Sequence, residues 1–291
     1  MTGILAVGDL CLDLRVLARE AAPAGGDVPA RMERRPGGSA AACAAFARRL
    51  GAGPVRFVGR VGDDPDGDYL LAELAAAGVE ARVRRVPGTR TARVVSVVAG
   101  GERTMYTDPG VLETLAADDV EAIDMEGMGF LHVSGYTLTR PGGEAAMARW
   151  MRLARALGLG VSLDPGPAAP AEIASVMGQV TLLVAEAREQ RRLGPSAPRA
   201  PVTVVTAGPG PVRLILEGRE HRFSPPPLRL SDPTGAGDAL RGALLARLAQ
   251  GAPPAAALEQ ALRDLPALVV DGRFSWGAGA PPTGTGAAGA K

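Results

Sequence analysis

A nine-residue segment near the C-terminal end, Asp232–Leu240 with the sequence DPTGAGDAL, carries the residue types best suited to chemistry. The small residues Gly235, Ala236 and Gly237 leave backbone N–H groups unobstructed, and the apolar run after them predicts a helix. Because a helix start carries unpaired N–H donors and positive partial charge, this turn predicts a binding site for an anion such as phosphate. A carboxylate would repel that anion, so Asp238 indicates a second task, which is to take a proton from a hydroxyl that attacks the phosphorus. The alternative is an aspartate that only caps the helix.

Missing residue types narrow the chemistry further. Lys291 is the only lysine, which removes the lysines that P-loop proteins, protein kinases and pyridoxal-phosphate enzymes require. Two histidines, His132 and His221, are too few for a histidine-rich metal site. Asparagine is absent, which we attribute to coding bias because alanine, glycine, arginine and proline are abundant.

Charge and hydropathy bound the partners and the location. A net charge of +1 predicts no nucleic-acid partner, and no apolar run is long enough to predict a membrane span. The first residues predict a strand and not a signal peptide. The cysteines Cys11 and Cys43 indicate a reduced, cytoplasmic protein, although a disulfide between them stays open.

Strand and helix patterns alternate along the chain and predict an α/β fold. The predicted strands are 3–8, 55–61, 129–134, 159–164, 182–185, 202–206 and 212–216. The predicted helices are 39–50, with Ser39 as its cap, 66–77, 142–157, 238–248 and 255–268. Repeated β-α units imply a mostly parallel sheet covered on both faces, with ligands at the carboxyl ends of its strands.

Two segments leave this alternation and predict a small additional sheet. They are residues 14–35 and 82–108, the second with a hairpin turn at Gly100-Gly101. We therefore expect one domain over 1–276 that contains both insertions, followed by a loose tail over 277–291. The tail carries the spacing Gly284-x-Gly286-x-x-Gly289. It lacks a preceding strand and room for a helix, so we reject it as a dinucleotide site.

The segment Asp232–Leu240 is similar to the C-terminal signature of the PfkB/ribokinase family of sugar and nucleoside kinases, and the resemblance extends over most of the chain. The segment 8–13 resembles the family's opening, in which a carboxylate, here Asp13, binds substrate hydroxyls. The segment 37–42 resembles its double-glycine motif. Three further matches are the lid hairpin at 101–104, the strand end at 206–208 that helps to hold the nucleotide, and the metal-supporting motif at 185–189.

The resemblance implies a ribokinase-like three-layer α/β/α fold with a mostly parallel sheet and a small β-sheet lid. It implies ATP and Mg²⁺ as cofactors and phosphorylation of a hydroxyl, expected to be a primary alcohol, on a small sugar or nucleoside. A monovalent cation and a homodimer formed through the lid, for which the stretch 94–98 is suited, stay open.

The resemblance also assigns roles to residues. Asp238 is the expected base, and the N–H groups of Gly235, Ala236 and Gly237 are expected to hold the transferred phosphoryl group. The expected nucleotide contacts are Thr206, Gly208, Thr234, Gly235 and Gly237. The expected acceptor contacts are Asp13, Gly37, Gly38 and Asp238. Glu189 is expected to hold Mg²⁺ through water.

Departures from the family pattern keep two alternatives open. Three positions where the family has asparagine carry Cys11, Ala42 and Glu186, which puts metal and substrate contacts in question. Beside a sugar kinase, the chain fits a nucleoside kinase of the same fold or a non-catalytic protein that binds a sugar or nucleotide. The intact turn at 235–238 favours the enzyme.

Overall fold

Strands and helices alternate along the chain, as the sequence predicts, in the computed structural model, which describes residues 1–100, 102–194 and 200–276. The strands are β1 Gly3–Val7, β2 Cys11–Ala18, β3 Ala30–Gly37, β4 Val55–Gly62, β5 Glu80–Val86, β6 Arg93–Ala99, β7 Glu102–Asp108, β8 Met128–Ser134, β9 Gly160–Asp164, β10 Leu182–Glu186, β11 Val202–Thr206, β12 Val212–Leu216, β13 Arg219–Phe223, β14 Val269–Val270 and β15 Arg273–Phe274. The α-helices are α1 Ser39–Arg49, α2 Pro65–Ala76, α3 Gly143–Ala156, α4 Pro170–Val176, α5 Ala187–Leu193, α6 Ala236–Ala249 and α7 Pro254–Asp264. No helix of these described ranges is long and apolar enough to cross a membrane.

A nine-stranded sheet forms the centre of the described part of the chain, in the order β13-β12-β11-β10-β9-β8-β1-β4-β5. Its strands are parallel except for β12 and β13, which extend one edge as an antiparallel meander. Every residue of β1, with the sequence GILAV, is buried. An unbroken apolar strand of this kind is typical of a parallel sheet covered on both faces.

Two apolar clusters cover the two faces of this sheet. Along β1, Ile4 and Ala6 pack into the cluster that contains α1, α6 and α7, whereas Leu5 and Val7 pack into the cluster that contains α3 and α4. The small residues of α1 let α6 approach closely. A side chain at Gly242 would have its Cβ only 2.6 Å from the carbonyl oxygen of Cys43. This close packing brings the first turns of the two helices together.

A separate small sheet has the order β3-β2-β6-β7 and is formed by parts of the two segments that leave the α/β alternation. One boundary was wrong, because residues 82–86 belong to β5, which pairs in parallel with β4 at the edge of the large sheet. The β4-α2-β5 unit completes the large sheet before the chain crosses to the small one. The predicted turn residue Gly101 and the tail with its glycine motif lie outside the described residues.

The cap of α1 also differs from expectation. Gly38, with a φ of 102°, occupies the cap position, and Ser39 is the first residue of the helix. The carboxylate of Asp9 satisfies the free helix donors instead, accepting the N–H of Ser39 at 2.6 Å and that of Ala40 at 3.3 Å. Because Asp9 caps the helix, the hydroxyl of Ser39 is free for other contacts.

Candidate active site

A cavity of about 1550 Å³ opens between the small sheet and the carboxyl ends of the central strands. All the site residues that the sequence indicated line it, although they come from distant parts of the chain. They are Asp13, Gly37, Gly38, Glu189, Thr206, Gly208, Thr234, Gly235, Ala236, Gly237 and Asp238. The structure therefore brings the whole expected set together, while the role of each residue stays a prediction.

The residues 232–238 form a turn, here called the anion turn, that leads into α6. Gly235 is the cap residue of α6 in the left-handed conformation, with a φ of 84°, which favours glycine. Asp232 shapes the turn by accepting the backbone N–H of Thr234 at 3.0 Å and its hydroxyl at 2.7 Å. Burial acts to raise the pKa of Asp232. The two hydrogen bonds from Thr234 and the charge of Arg15 together lower the pKa by more than burial raises it, so it lies below its ordinary value.

The N–H donors of the anion turn differ in one member from the predicted set. The N–H of Ala236 donates to the carbonyl of Pro233 at 3.1 Å, so this expected donor is already engaged. Among the described residues, the N–H groups of Gly235, Gly237 and Asp238 have no acceptor. The cause is the tight turn at Pro233, which folds its carbonyl back onto Ala236. Three free donors thus remain at the positive end of α6.

Asp238 lies at the cavity wall with its side chain one-fifth exposed. Its Oδ1 accepts the hydroxyl of Ser39 at 2.7 Å and Nη1 of Arg241 at 2.8 Å. Its Oδ2 has no partner among the described residues. Burial raises the pKa of Asp238 to about 7, and the charges of Asp164 and Asp9 act in the same direction against Arg241 and Ser39. A base with such a pKa is well matched to neutral pH.

Sequence reasoning missed the residues that surround this carboxylate. Arg241 is buried and also donates through Nη2 to Oδ1 of Asp164 at 2.8 Å. Asp164 ends β9, and its other oxygen lies 3.1 Å from the hydroxyl oxygen of Ser39, whose single proton lies between Asp164 and the nearer Asp238. Two signals were present in the sequence. Arg241 is a charge inside an apolar helical run, and Asp164 directly follows an apolar strand.

The end of the cavity where the acceptor is expected to bind is formed by β2 and β3. A Cβ on Gly37 would lie 2.5 Å from the Asp13 carboxylate, and a Cβ on Gly38 would lie 2.3 Å from the carbonyl oxygen of Asp9. Burial raises the pKa of Asp13 to about 6, although the thiol of Cys11, 3.6 Å from Oδ1, acts to lower it. Cys11 and Cys43 are both free, buried thiols.

The opposite end of the cavity is formed after β10 and β11. Glu189 is buried, and its Oε2 accepts the backbone N–H of Glu186 at 2.7 Å, which caps α5. Burial raises the pKa of Glu189 above its ordinary value. Thr206 ends β11, and Gly208 follows in a left-handed turn with a φ of 58°. Within the described ranges, no group of three acidic, histidine or cysteine residues is arranged to hold a metal ion directly. Glu186 and Glu189 line the cavity, so their carboxylates fit a Mg²⁺ that is held through water.

The small sheet is joined to the anion turn by polar contacts. Nη2 of Arg15, on β2, lies 2.7 Å from Oδ2 of Asp232. Nη1 of Arg103, on β7, donates to the hydroxyl of Thr234 at 2.5 Å. Two strands of the small sheet therefore reach across the cavity to the segment that carries the free N–H donors.

Comparisons with known proteins agree with this geometry. Residues 1–263 match the model described as pfkB family carbohydrate kinase. The chain is 29% identical over 262 residues to a fructokinase of Klebsiella pneumoniae, and this alignment covers 77% of this chain and 80% of the relative. It is 26% identical over 279 residues to a ribokinase of Bacillus subtilis, which covers 90% and 91%. A ribokinase II from E. coli, solved in complex with ATP and Mg²⁺, has the same fold with a TM-score of 0.84 at 21% identity over 97% of each chain. The expected ribokinase-like fold is confirmed.

Proposed function

The chain belongs to the pfkB family of carbohydrate kinases, and we propose that it transfers the γ-phosphoryl group of ATP to a primary alcohol of a small sugar or sugar derivative. Membership of the family makes the protein a sugar kinase. The proposal adds the phosphoryl donor, the kind of hydroxyl and the residues that act.

One observation carries the proposal: within the described part of the chain, a carboxylate oxygen without a partner lies in the same helical turn as three N–H donors without an acceptor. Oδ2 of Asp238 would accept the proton of the acceptor hydroxyl, while the hydroxyl oxygen forms a bond to the γ-phosphorus. The bond from the γ-phosphorus to the bridging oxygen breaks, and its electron pair leaves with ADP. The N–H groups of Gly235, Gly237 and Asp238 would stabilise the charge of the transferred group, and the proton passes to solvent after release.

The two ends of the cavity have different tasks in this reaction. Asp13 would accept hydrogen bonds from other hydroxyls of the acceptor, beside the backbone of Gly37 and Gly38. Thr206, Gly208 and Thr234 would contact the nucleotide. Glu189 would hold Mg²⁺ through water, and the ion supplies charge neutralisation on the triphosphate when it is bound.

The small sheet would act as a lid that excludes water from the transferred group. Water in place of the acceptor would waste ATP by hydrolysis, and the contacts of Arg15 and Arg103 with the anion turn would hold the lid over the site. Met32 and Tyr106 of the small sheet are 77% and 63% exposed, which supports a homodimer through this sheet, to be measured by analytical ultracentrifugation. A cytoplasmic location, where ATP and Mg²⁺ are available, fits the same proposal.

Release of ADP from Mg²⁺-ATP tests the proposal across a panel of pentoses, hexoses, sugar acids and nucleosides. Three proteins are compared: the wild type, Asp238→Ala and the control Asp63→Asn, whose side chain is 62% exposed. We expect a sugar-dependent signal that falls by at least about a hundredfold in Asp238→Ala, as the loss of a general base predicts. ATP binding, measured by thermal shift, should persist in that variant.

Three results would contradict parts of the proposal. Turnover of Asp238→Ala within tenfold of the wild type would remove Asp238 as the base. A signal with nucleosides alone would replace the sugar with a nucleoside as acceptor. ATP binding without turnover on any acceptor would indicate a non-catalytic binding protein.

A further inference from the structure

Arg241 is a buried cation in a helix whose neighbouring positions are apolar. Its side chain is 7% exposed, and Leu240, Leu244 and Leu245 of the same helix are buried around it. Burying a guanidinium is costly unless it is paired, and its Nε has no hydrogen-bond partner among the described residues. Packing alone would favour a leucine here, so the contacts made by its two Nη atoms must account for this arginine.

Both contacts are to carboxylates, and a hydroxyl closes the arrangement into a ring. Arg241 bonds Oδ1 of Asp238 through Nη1 and Oδ1 of Asp164 through Nη2, each at 2.8 Å. The hydroxyl of Ser39 lies 2.7 Å from Oδ1 of Asp238 and 3.1 Å from Oδ2 of Asp164. Asp164 is fixed in turn by the N–H of Gly166 at 3.1 Å. The ring therefore joins α1, α6 and the end of β9.

The ring is asymmetric at Asp238, and the asymmetry has a chemical consequence. Both donors meet on Oδ1, so they fix the carboxylate plane and leave Oδ2 without a partner among the described residues. A carboxylate held at one oxygen presents the other in one direction. A base must reach the hydroxyl proton at hydrogen-bond distance, so this fixed direction matters for the reaction.

The charges around Asp238 explain why a cation is needed there. The titratable and polar groups that face it come from six elements. They are Asp9 after β1, Cys11 on β2, Ser39 and Cys43 on α1, Tyr136 after β8, Asp164 on β9 and Arg241 on α6 itself. The neighbouring carboxylates disfavour an ionised Asp238, whereas the guanidinium of Arg241 favours it.

On the basis of the proposed kinase reaction, we propose that Arg241 is a positioning residue that, with Ser39 and Asp164, orients Oδ2 of Asp238 toward the acceptor hydroxyl and keeps the carboxylate ionised. Arg241 itself does not touch the reacting atoms. Its effect passes through Asp238, so its loss should change the pH dependence of the reaction and not the affinity for ATP.

The first test compares pH profiles of kcat/KM for the wild type, Arg241→Met, Arg241→Lys and Arg247→Met. Arg247 is the matched control because it lies on α6 but bonds Asp264, 2.7 Å away, outside the cavity. Arg241→Met removes a positive charge that lies 2.8 Å from Oδ1 of Asp238. The acidic limb of its pH profile should therefore shift upward by about 1–3 pH units, and kcat/KM should recover at high pH, where Asp238 is ionised again. Arg241→Lys keeps the charge and should shift it by less than about one unit. The KM for ATP should stay within about threefold.

The second test needs no turnover and therefore separates this inference from the proposed function. In protein labelled with ¹³C at aspartate carboxyl carbons, the signal absent from Asp238→Asn reports the titration of Asp238. We expect that signal to titrate at a higher pH in Arg241→Met than in the wild type. If Arg241→Met does not fold, Arg241→Lys replaces it, and the signal should shift in the same direction by a smaller amount. If the wild type has no kinase activity and the signal shifts, the coupling of Arg241 to Asp238 stands and the proposed function fails. If Asp238→Ala abolishes turnover but neither the pH profile nor the signal moves by more than about 0.3 unit in these variants, the positioning role is refuted and the kinase stands.

Discussion

Replacement of Gly38 by alanine tests whether the path of the chain into α1 holds the site together. Gly38 has a φ of 102°, which L-residues rarely adopt, and its Cβ would lie 2.3 Å from the carbonyl oxygen of Asp9. The oxygen belongs to the backbone and the position of a Cβ is fixed by its own backbone, so neither atom can move aside as the end of a flexible side chain can. Asp9 also caps α1, and Ser39 contacts Asp238, so any displacement at Gly38 reaches Asp238, the proposed base.

Two other glycines separate the two costs of this substitution. Gly88 has a φ of 73° but open space around its Cβ, so Gly88→Ala isolates the conformational cost, about 1–2 kcal/mol. Gly178 has open space and an ordinary φ, so Gly178→Ala should lie within about 0.5 kcal/mol of the wild type. Gly38→Ala adds an overpacking cost of about 1–3 kcal/mol to a strain of about 1–3 kcal/mol, which predicts about 2–6 kcal/mol.

Urea denaturation of the three variants measures these differences, and steady-state kinetics of the folded fraction measures the effect on the site. We expect the order Gly178→Ala, Gly88→Ala, Gly38→Ala for loss of stability, with a fall in kcat only in the last. A Gly38→Ala variant as stable as Gly88→Ala would refute the close approach of Asp9. A stable Gly38→Ala variant with normal kcat would also refute the link from α1 to Asp238.

Four further predictions concern pH and single contacts. Asp238 must be ionised to act as a base, and its pKa is about 7. In a pH-rate profile of the wild type, kcat/KM should therefore be constant above about pH 8 and fall about tenfold for each pH unit below pH 7. Burial raises the pKa of Asp238 in the folded state from the ordinary 3.8 to about 7, so the folded protein binds more protons than the unfolded chain between these two pH values. The free energy of unfolding should therefore fall as the pH rises from about 4 to 7. Urea denaturation of Asp238→Asn over the same pH range should show a smaller fall. Asp13→Asn should raise the KM for the acceptor by about 10–100-fold, because the acceptor loses hydrogen bonds to a charged group. In the wild type, the KM for the acceptor should rise below about pH 6, because Asp13 becomes protonated there. Initial rates measured against acceptor concentration test both expectations. Arg103→Ala removes a contact between the small sheet and the anion turn, so ATP hydrolysis should increase relative to phosphoryl transfer. Parallel assays of ADP and of phosphorylated sugar measure the ratio of the two reactions. An unchanged ratio of hydrolysis to transfer would speak against the lid.

The local sequence was sufficient for the elements and for the anion turn. The strand at 3–8 follows from a short, unbroken apolar run, and the helix at 142–157 follows from the spacing of its apolar residues; the structure has them as β1 and α3. Gly235 and Gly237 indicate the turn because only residues without bulky side chains leave the N–H groups accessible. The edge strand β5 was assigned to the wrong sheet, since a short segment with only two valines among its seven residues carries no information about which neighbour it pairs with.

Tertiary structure alone decided which side chains surround Asp238. Asp9, Ser39, Asp164 and Arg241 come from four separate segments, and no spacing in the sequence indicates that Ser39 lies 2.7 Å from Asp238, 199 positions away. Ser39 resembled a helix cap, but Asp9 took that role because β1 ends beside the first turn of α1. Likewise, the N–H of Ala236 was expected to be free, and only the folded turn directs the carbonyl of Pro233 onto it. Periodicity and turn chemistry are local properties and can be predicted from the sequence. The partners of a buried charge depend on how the sheet and helices pack, which the sequence determines only through the complete fold.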